Sequence, residues 1–269
     1  MTKILIGLLS AHHPSRWGYR DRARQNFLKD SPLDYKFVLG NPPCPDWPYQ
    51  KADDELWVDC DDSKEFMVLK NQALFRYALE NGYDYCFRAC DDTWINVDRL
   101  IKAGLEPYDY AGQVPCKFSL GGTFKVWMRY LDYMHGGCGI WLSRKAMEML
   151  VADEWKGPDW VKTMPEKIDV GMGIMYSRFE TYWDDHWIGE VLKGNLDWLD
   201  PLRANPATAY LANGISVFED EMLFYNDEPQ RAISIHDPGV HKPNAQDMDD
   251  LMEQFKQMNR SFTVVGVEK

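Results

Sequence analysis

The chain has 269 residues, of which 45% are hydrophobic, 14% aromatic and 27% charged, and its formal net charge is −12. The high aromatic content excludes a mainly disordered chain, and no apolar run approaches the 18 residues of a membrane span. The acidic balance disfavours nucleic acid as a partner, because nucleic-acid binding needs a basic surface. Since no signal-peptide pattern is recognised, we expect a soluble, cytoplasmic protein.

The first half of the chain alternates predicted strands and helices. In chain order these are strand 3–10, helix 16–30, strands 35–39 and 56–60, helix 63–80, strand 83–89 and helix 97–105. This alternation is typical of an α/β sheet with parallel strands.

The second half is less regular. Its predicted elements are a glycine-rich, aromatic segment 118–139, a helix 143–152, a helix from about 184, a strand 231–236 and a C-terminal helix 247–259. No stretch resembles a flexible linker, so we expect a single domain over residues 1–269. The six cysteines form no CxxC pair, which predicts reduced thiols rather than a zinc or redox site.

Two adjacent acids, Asp91 and Asp92, follow the predicted strand 83–89. In open α/β sheets, ligands bind beyond the carboxyl ends of the strands. Adjacent carboxylates there can hold a hard cation, which in turn neutralises a diphosphate. The alternative is that one of them merely caps the turn before Asn96.

Three further features could carry chemistry. Three glycines among residues 136–139 allow a ligand to approach the backbone closely, or else form a tight turn packed on the sheet. Asp184 and Asp185 open a predicted helix, where the helix dipole favours acids and where a catalytic carboxylate could also lie. His236 ends a predicted strand, a place where a lone histidine is more often structural than a ligand.

In this order, the four features resemble the inverting glycosyltransferases of the β-1,3-galactosyltransferase, core-1 galactosyltransferase and fringe type. That family carries an Arg-Ala-Asp-Asp-Asp-Thr run, a Tyr-Met-x-Gly-Gly-x-Gly-Tyr-x-Leu-Ser run, a Glu-Asp-x-x-x-Gly motif and a strand that ends in His. The corresponding positions here are 88–93, 133–143, 184–189 and 236. The resemblance covers roughly residues 3–240, and basic residues at Arg20, Arg22, Arg24 and Lys70 also fall where the family has them.

The resemblance implies a GT-A-type α/β fold, a Rossmann-like mixed sheet flanked by helices. Residues up to about 115 would form the nucleotide-sugar-binding half, and residues from about 116 would form the acceptor-binding and catalytic half. The implied reaction is metal-dependent transfer of a hexose from a nucleotide sugar, with UDP as the expected nucleotide. The acceptor would be a hydroxyl of a glycan or glycoconjugate, the anomeric configuration would be inverted, and the cofactor would be Mn²⁺ or Mg²⁺.

The resemblance also implies roles for individual residues. They are Asp185 as the catalytic base, Asp92 and His236 as metal ligands, Asp91, Arg88, Lys70 and Gly137 as donor contacts, and Trp127, Tyr133, Asp184 and Trp183 as acceptor contacts. Because side chains alternate along a strand, Asp91 and Asp92 are expected to point to different sides. The aromatic segment 118–135 is the candidate acceptor wall, with a packed hydrophobic hairpin as the alternative.

Cys90 departs from the family pattern, since it stands where the first of three acids is expected. It supports a rival reading, a non-catalytic sugar- or nucleotide-binding module. A second rival is a DNA-modifying glycosyltransferase that acts on hydroxymethylated bases, which the net charge of −12 opposes.

Overall fold

A computed structural model describes most of the first half of the chain and parts of the second. The described residues are 2–42, 51–113, 118–120, 124–126, 134, 136–154, 184–193, 207–220 and 233–236. Their strands are β1 (Ile4–Leu9), β2 (Asp34–Asn41), β3 (Glu55–Asp61), β4 (Tyr85–Cys90), β5 (Thr93–Ile95), β6 (Tyr110–Gly112), β7 (Phe118–Leu120), β8 (Phe124–Val126), β9 (Ile140–Ser143), β10 (Ala207–Ala212), β11 (Ile215–Asp220) and β12 (Ser234–His236). Their α-helices are α1 (Pro14–Gln25), α2 (Met67–Glu80), α3 (Val97–Lys102), α4 (Arg144–Ala152) and α5 (Asp184–Lys193).

Eight of these strands form one mixed sheet, in the order β10-β11-β6-β9-β4-β1-β2-β3. β1 pairs in parallel with both β2 and β4, and β2 pairs in parallel with β3. β9 lies antiparallel to β4 and β6, and β10 lies antiparallel to β11. The predicted α/β class, a mixed sheet flanked by helices, is confirmed.

Strand β1 is buried on both faces, as its continuous apolar run predicts. Leu5 and Leu9 point to one side and pack with side chains of α2, α4 and α5. Ile6 and Leu8 point to the other side and pack with side chains of α1 and α3. The sheet therefore lies between two helical layers, each with its own hydrophobic core.

The order of the parallel strands reverses at β1. From β1 the chain passes through α1 to β2 on one edge, and from β3 it passes through α2 to β4 on the other edge. The carboxyl ends of β1 and β4, at Leu9 and Cys90, are register partners. Ligands of open α/β sheets bind in the crevice at such a reversal. Topology alone thus points to the residues that follow these two strands.

Helix boundaries agree with the sequence prediction where side chains set them. Asn96 and Ser143 each accept a backbone N–H from the first turn of α3 and α4, as N-caps do. The sequence predicts a helix over 63–80, but the chain first makes a 3₁₀ turn, Lys64–Phe66, and α2 begins at Met67. Helix α1 ends at Gln25 rather than near residue 30, because the chain then continues as turns.

The sequence prediction missed the hairpin of β10 and β11. Asn213 and Gly214 join the two strands, with φ of 46° and 76°. Two consecutive residues with positive φ are what a type I′ turn requires, and Asn-Gly is its preferred sequence. The Asn-Gly pair was therefore a signal for this hairpin in the sequence.

Part of the sequence prediction concerns residues outside the described ranges. The predicted helix 247–259 is one such element, and the division into nucleotide and acceptor halves stays a prediction. None of the helices in the described ranges is long and apolar enough to cross a membrane.

Gly139 provides a test of the packing between β9 and β4. Its φ is +96°, and an added Cβ would lie 2.2 Å from Cζ of Phe87. We expect Gly139→Ala to lower the free energy of unfolding by about 2–5 kcal/mol, because backbone strain and a steric clash add. Gly82→Ala is the matched control, since Gly82 has φ +75° but nothing within 4 Å of the added Cβ. In the control, the free energy of unfolding measured with urea should fall by only about 1–2 kcal/mol. Equal decreases in the two variants would contradict the close packing of Gly139 against Phe87.

Candidate functional site

The two acids predicted at the sheet edge lie in a turn directly after β4, which ends at Cys90. Asp91 accepts hydrogen bonds from Ser10 Oγ at 2.6 Å and from Arg16 Nη1 at 2.7 Å. The same Arg16 Nη1 donates to Oδ2 of Asp92, also at 2.7 Å. The side chain of Asp91 is 1% exposed, that of Asp92 19% and that of Arg16 34%. The acidic pair is thus buried on one side and open to solvent on the other.

The expectation that Asp91 and Asp92 point to different sides is wrong. Both carboxylates reach the same nitrogen of Arg16, so they converge. The alternation of side chains holds only within an extended strand. Since β4 ends at Cys90, the backbone of the two acids already turns.

Burial and neighbouring charges shift the pKa values of Asp91 and Arg16. Burial raises the pKa of Asp91 to about 6, with Arg16 acting in the opposite direction and Asp92 adding to the rise. Burial alone would lower the pKa of Arg16, but the carboxylates of Asp91 and Asp92 outweigh it and the net shift is upward. A buried carboxylate with a raised pKa at a topological switch point is typical of a functional site.

His236 lies close to the acidic pair along the backbone. Strand β12 pairs antiparallel with β5, and His236 stands opposite Thr93, the residue after Asp92. One predicted metal ligand, His236, therefore lies in β12, and the other, Asp92, directly precedes the strand that pairs with β12. The side chain of His236 is not among those described. Within the described ranges, no three His, Cys, Asp or Glu side chains gather in a group that could hold a metal ion. Metal binding by Asp92 and His236 stays a prediction.

The glycine-rich segment forms a short 3₁₀ turn, Gly136–Cys138, buried beside these strands. Thr93 Oγ1 donates to the carbonyl of Gly137 at 2.6 Å. Ser234 Oγ donates to the carbonyl of Cys138. These contacts tie the turn to β5 and β12. A donor contact by Gly137 stays a prediction, and its described contact is to Thr93.

Arg88 lies in the interior, where it joins β4 to two helices. Its Nη2 donates to Asp184 Oδ2, and its Nε donates to Asn71 Oδ1 at 3.1 Å. Asn71 Nδ2 also donates to Asp184 Oδ2, at 2.5 Å. The surrounding elements leave Arg88 1% and Asp184 4% exposed. Burial alone would lower the pKa of Arg88, but the charge of Asp184 outweighs it and the net shift is upward.

These contacts favour a structural role for Arg88 and Asp184. The predicted donor contact of Arg88 and acceptor contact of Asp184 stay predictions, and neither side chain is exposed enough to support them. Gly136 is shaped by the same guanidinium, since an added Cβ would lie 2.0 Å from Arg88 Nη1. The glycine at this position is therefore required by packing.

Asp185, the predicted base, follows Asp184 in the first turn of α5. Its Oδ2 accepts the backbone N–H of Gly136 at 3.0 Å, and the residue is 9% exposed. Through the turn Gly136–Cys138, Asp185 is connected to Thr93 and so to the neighbouring Asp92. The predicted base and the acidic pair thus belong to one contact network.

Lys70 connects the ends of the parallel strands. Its Nζ donates to the carbonyl of Ser10 at 3.1 Å and to Asp62. Asp62 also accepts the N–H of Gly40 at 2.9 Å and that of His12. Because Lys70 is 3% exposed, these contacts favour a structural role, and its donor contact stays a prediction.

Two residues of the site were not singled out from the sequence. Ser10 follows β1 directly and bonds Asp91, so the rule for strand ends could have found it. Arg16 lies at the start of a basic stretch, 16–24, in which the resemblance singles out Arg20, Arg22 and Arg24 but not Arg16. Its partners come from a distant part of the chain, and no local pattern names them.

The predicted acceptor residues are largely outside the described ranges. Trp127, Tyr133 and Trp183 all lie there. Strands β7 and β8 pair antiparallel, as the hairpin alternative for this segment implies. The acceptor wall stays a prediction.

Comparisons with known proteins give little further guidance. No protein-family profile and no curated protein matches the chain. Among solved structures, it is similar to a glycosyltransferase involved in the glycosylation of the major capsid of PBCV-1, with 12% identity and a TM-score of 0.45. The match covers 94% of this chain and 99% of that chain. At this level, the likeness establishes neither a common fold nor a common activity.

The raised pKa of Asp91 predicts a stability cost that depends on pH. Between about pH 4 and 6 the folded state binds a proton that the unfolded chain does not, so stability rises as the pH falls through this range. Above pH 6 the ionised carboxylate lowers stability by up to about 3 kcal/mol. We expect Asp91→Asn to be more stable than wild type at pH 7.5, with the difference shrinking towards pH 4. Urea unfolding at several pH values checks this, and a variant that is less stable at pH 7.5 would contradict it.

Proposed function

We propose that this chain is a metal-dependent inverting glycosyltransferase. It transfers a hexose from a nucleotide sugar, with UDP as the expected nucleotide, to a hydroxyl of a glycan or glycoconjugate. One observation carries the proposal: the carboxylates of Asp91 and Asp92 converge at the crevice between β1 and β4, where the strand order reverses. This is where an open α/β sheet binds a nucleotide, and where the sequence resemblance expects the diphosphate.

The acidic pair fits a divalent cation. Its two carboxylates already share one positively charged group, the guanidinium of Arg16, and carboxylate oxygens are the ligands that hard cations prefer. Asp92 and His236 are the residues that would hold Mn²⁺ or Mg²⁺. Such a cation offsets the negative charge on a diphosphate leaving group.

The acceptor hydroxyl needs a base as it attacks, and Asp185 is the candidate. Its carboxylate accepts a hydrogen bond from the backbone N–H of Gly136, and this bond holds the carboxylate in place. Inversion needs only this one base, placed on the side of the acceptor. The contacts of the Asp184 carboxylate with Arg88 and Asn71 inside the protein favour Asp185 over Asp184 for this role.

A non-catalytic binding module is the rival that Cys90 supports. Burial raises the pKa of the Cys90 thiol, so this residue stays neutral near pH 7 and supplies no third negative charge. The acidic pair therefore acts as two carboxylates. A protein that binds the donor but neither transfers the sugar nor slowly hydrolyses the donor would favour the binding module over the enzyme.

Donor binding gives the first test. We expect nucleotide sugars, and UDP itself, to raise the melting temperature only in the presence of Mn²⁺, because a ligand of the folded state stabilises it. Asp92→Asn should abolish this Mn²⁺-dependent rise. Asp98→Asn removes an exposed acid from α3 and should leave it intact. If UDP raises the melting temperature equally without Mn²⁺, or if the Mn²⁺-dependent rise in melting temperature persists in Asp92→Asn, the metal site is contradicted.

The two acids of α5 give the second test, as a matched pair. Asp185→Asn should lower the transfer rate by about 10²–10⁴-fold with donor affinity unchanged, since the amide oxygen still accepts from Gly136 but cannot take a proton. Asp184→Asn should instead lower the free energy of unfolding by about 3–5 kcal/mol, because it leaves the charge of Arg88 buried without its partner.

Transfer assays, donor titrations and urea unfolding on both variants separate these outcomes. Full activity in Asp185→Asn would remove this residue from the chemistry. Unchanged stability in Asp184→Asn would remove the structural role of the Arg88–Asp184 pair.

A further inference from the structure

Arg16 is the positively charged group at the acidic pair. One nitrogen, Nη1, lies 2.7 Å from Oδ1 of Asp91 and 2.7 Å from Oδ2 of Asp92. The guanidinium therefore occupies the space where the two carboxylates converge. It brings one positive charge to two negative ones.

We propose that Arg16 is a counter-ion of the acidic pair that a divalent cation displaces, and that the displaced guanidinium then binds the diphosphate of the donor. This inference rests on the proposed function and assigns Arg16 two partners in succession, first the acidic pair and then the diphosphate. Before the cation binds, Arg16 keeps two carboxylates together that would otherwise repel each other. After it binds, the same charge lies next to the phosphates.

The contacts of Arg16 allow such a movement. Its side chain is 34% exposed. In the part of the chain that the structure describes, its guanidinium also lies over the ring of Tyr19, at 5.5 Å. Arg20, one turn further along α1, differs in every respect. It is wholly buried and donates to Ser10 Oγ and to the carbonyl of Ala11, both at 2.7 Å. Arg20 is thus fixed in the fold, whereas Arg16 reaches the acids from the solvent side.

Electrostatics gives the direction of the exchange. A divalent cation brings two charges to the carboxylates where Arg16 brings one, and carboxylate oxygens coordinate it directly. A guanidinium so displaced has donors in a planar fork that matches phosphate oxygens. Because Arg16 contacts the acids at the crevice between β1 and β4, the displaced guanidinium stays beside the site proposed for the diphosphate.

The inference predicts effects of opposite sign in the variant Arg16→Gln. Mn²⁺ alone should bind on the order of tenfold more tightly, because the competing charge is gone. UDP, in saturating Mn²⁺, should bind on the order of tenfold more weakly, because a charge-assisted contact is lost. A residue that only holds the acids in place would instead weaken Mn²⁺ binding when it is removed.

The experiment is a calorimetric titration of Mn²⁺ alone, followed by UDP in saturating Mn²⁺. Arg24→Gln is the matched control, since Arg24 lies on the same helix but pairs with Asp54 and Glu55. It should change neither constant. Arg16→Lys is the second variant, in which a compact ammonium keeps the charge and should give intermediate constants. Melting curves of all variants report whether they fold.

The outcomes distinguish this inference from the proposed function. Wild-type protein that binds neither Mn²⁺ nor UDP would overturn both. Wild-type protein that binds both, with Mn²⁺ affinity unchanged or lower in Arg16→Gln, would overturn only the displacement by metal. Tighter Mn²⁺ binding with unchanged UDP affinity would overturn the contact with the diphosphate.

Discussion

The buried ion pair between Arg88 and Asp184 is the interaction on which the arrangement of the site depends. It joins the central strand β4 to the first turn of α5, and Asn71 adds α2 to the same group. A buried charge without its partner is strongly unfavourable, so the three elements are held together. The position of Asp185 at the glycine-rich turn follows from this pair, because Asp185 is the next residue along the helix.

The acidic pair has a different origin, in the topology of the sheet. β1 and β4 end at the same level, so Ser10 and Asp91 follow them side by side and bond each other. The backbone continues into β5, which pairs with β12 and so brings a residue from near the end of the described chain to the same edge. Sheet pairing thus places the acidic pair at this crevice, and the Arg88–Asp184 ion pair independently positions Asp185.

Much of this architecture could be predicted from the sequence, because local patterns determine it. The apolar run of β1 is typical of a buried strand, and Asn96 and Ser143 are residue types that favour helix N-caps. The place of Asp91 and Asp92 at the sheet edge followed from the strand before them.

What could not be predicted depends on contacts between distant residues. The direction of the two carboxylates depends on where β4 ends, because side chains alternate only within a strand and both acids follow it. The partners of Arg88 and Arg16 come from other elements, which no spacing in the chain reveals. For Arg88 the resemblance implies a donor contact, which stays a prediction, whereas the described contacts of its guanidinium are with Asn71 and Asp184 inside the fold.

The close approach of Gly136 to Arg88 also limits how this protein is able to evolve. Any side chain at position 136 would occupy the space of the guanidinium, so the glycine is not free to change while the arginine remains. A shorter residue at position 88 would make room, but it would leave the buried carboxylate of Asp184 without a positively charged partner. Positions 88, 136 and 184 are therefore expected to vary together among related sequences, as one correlated triplet.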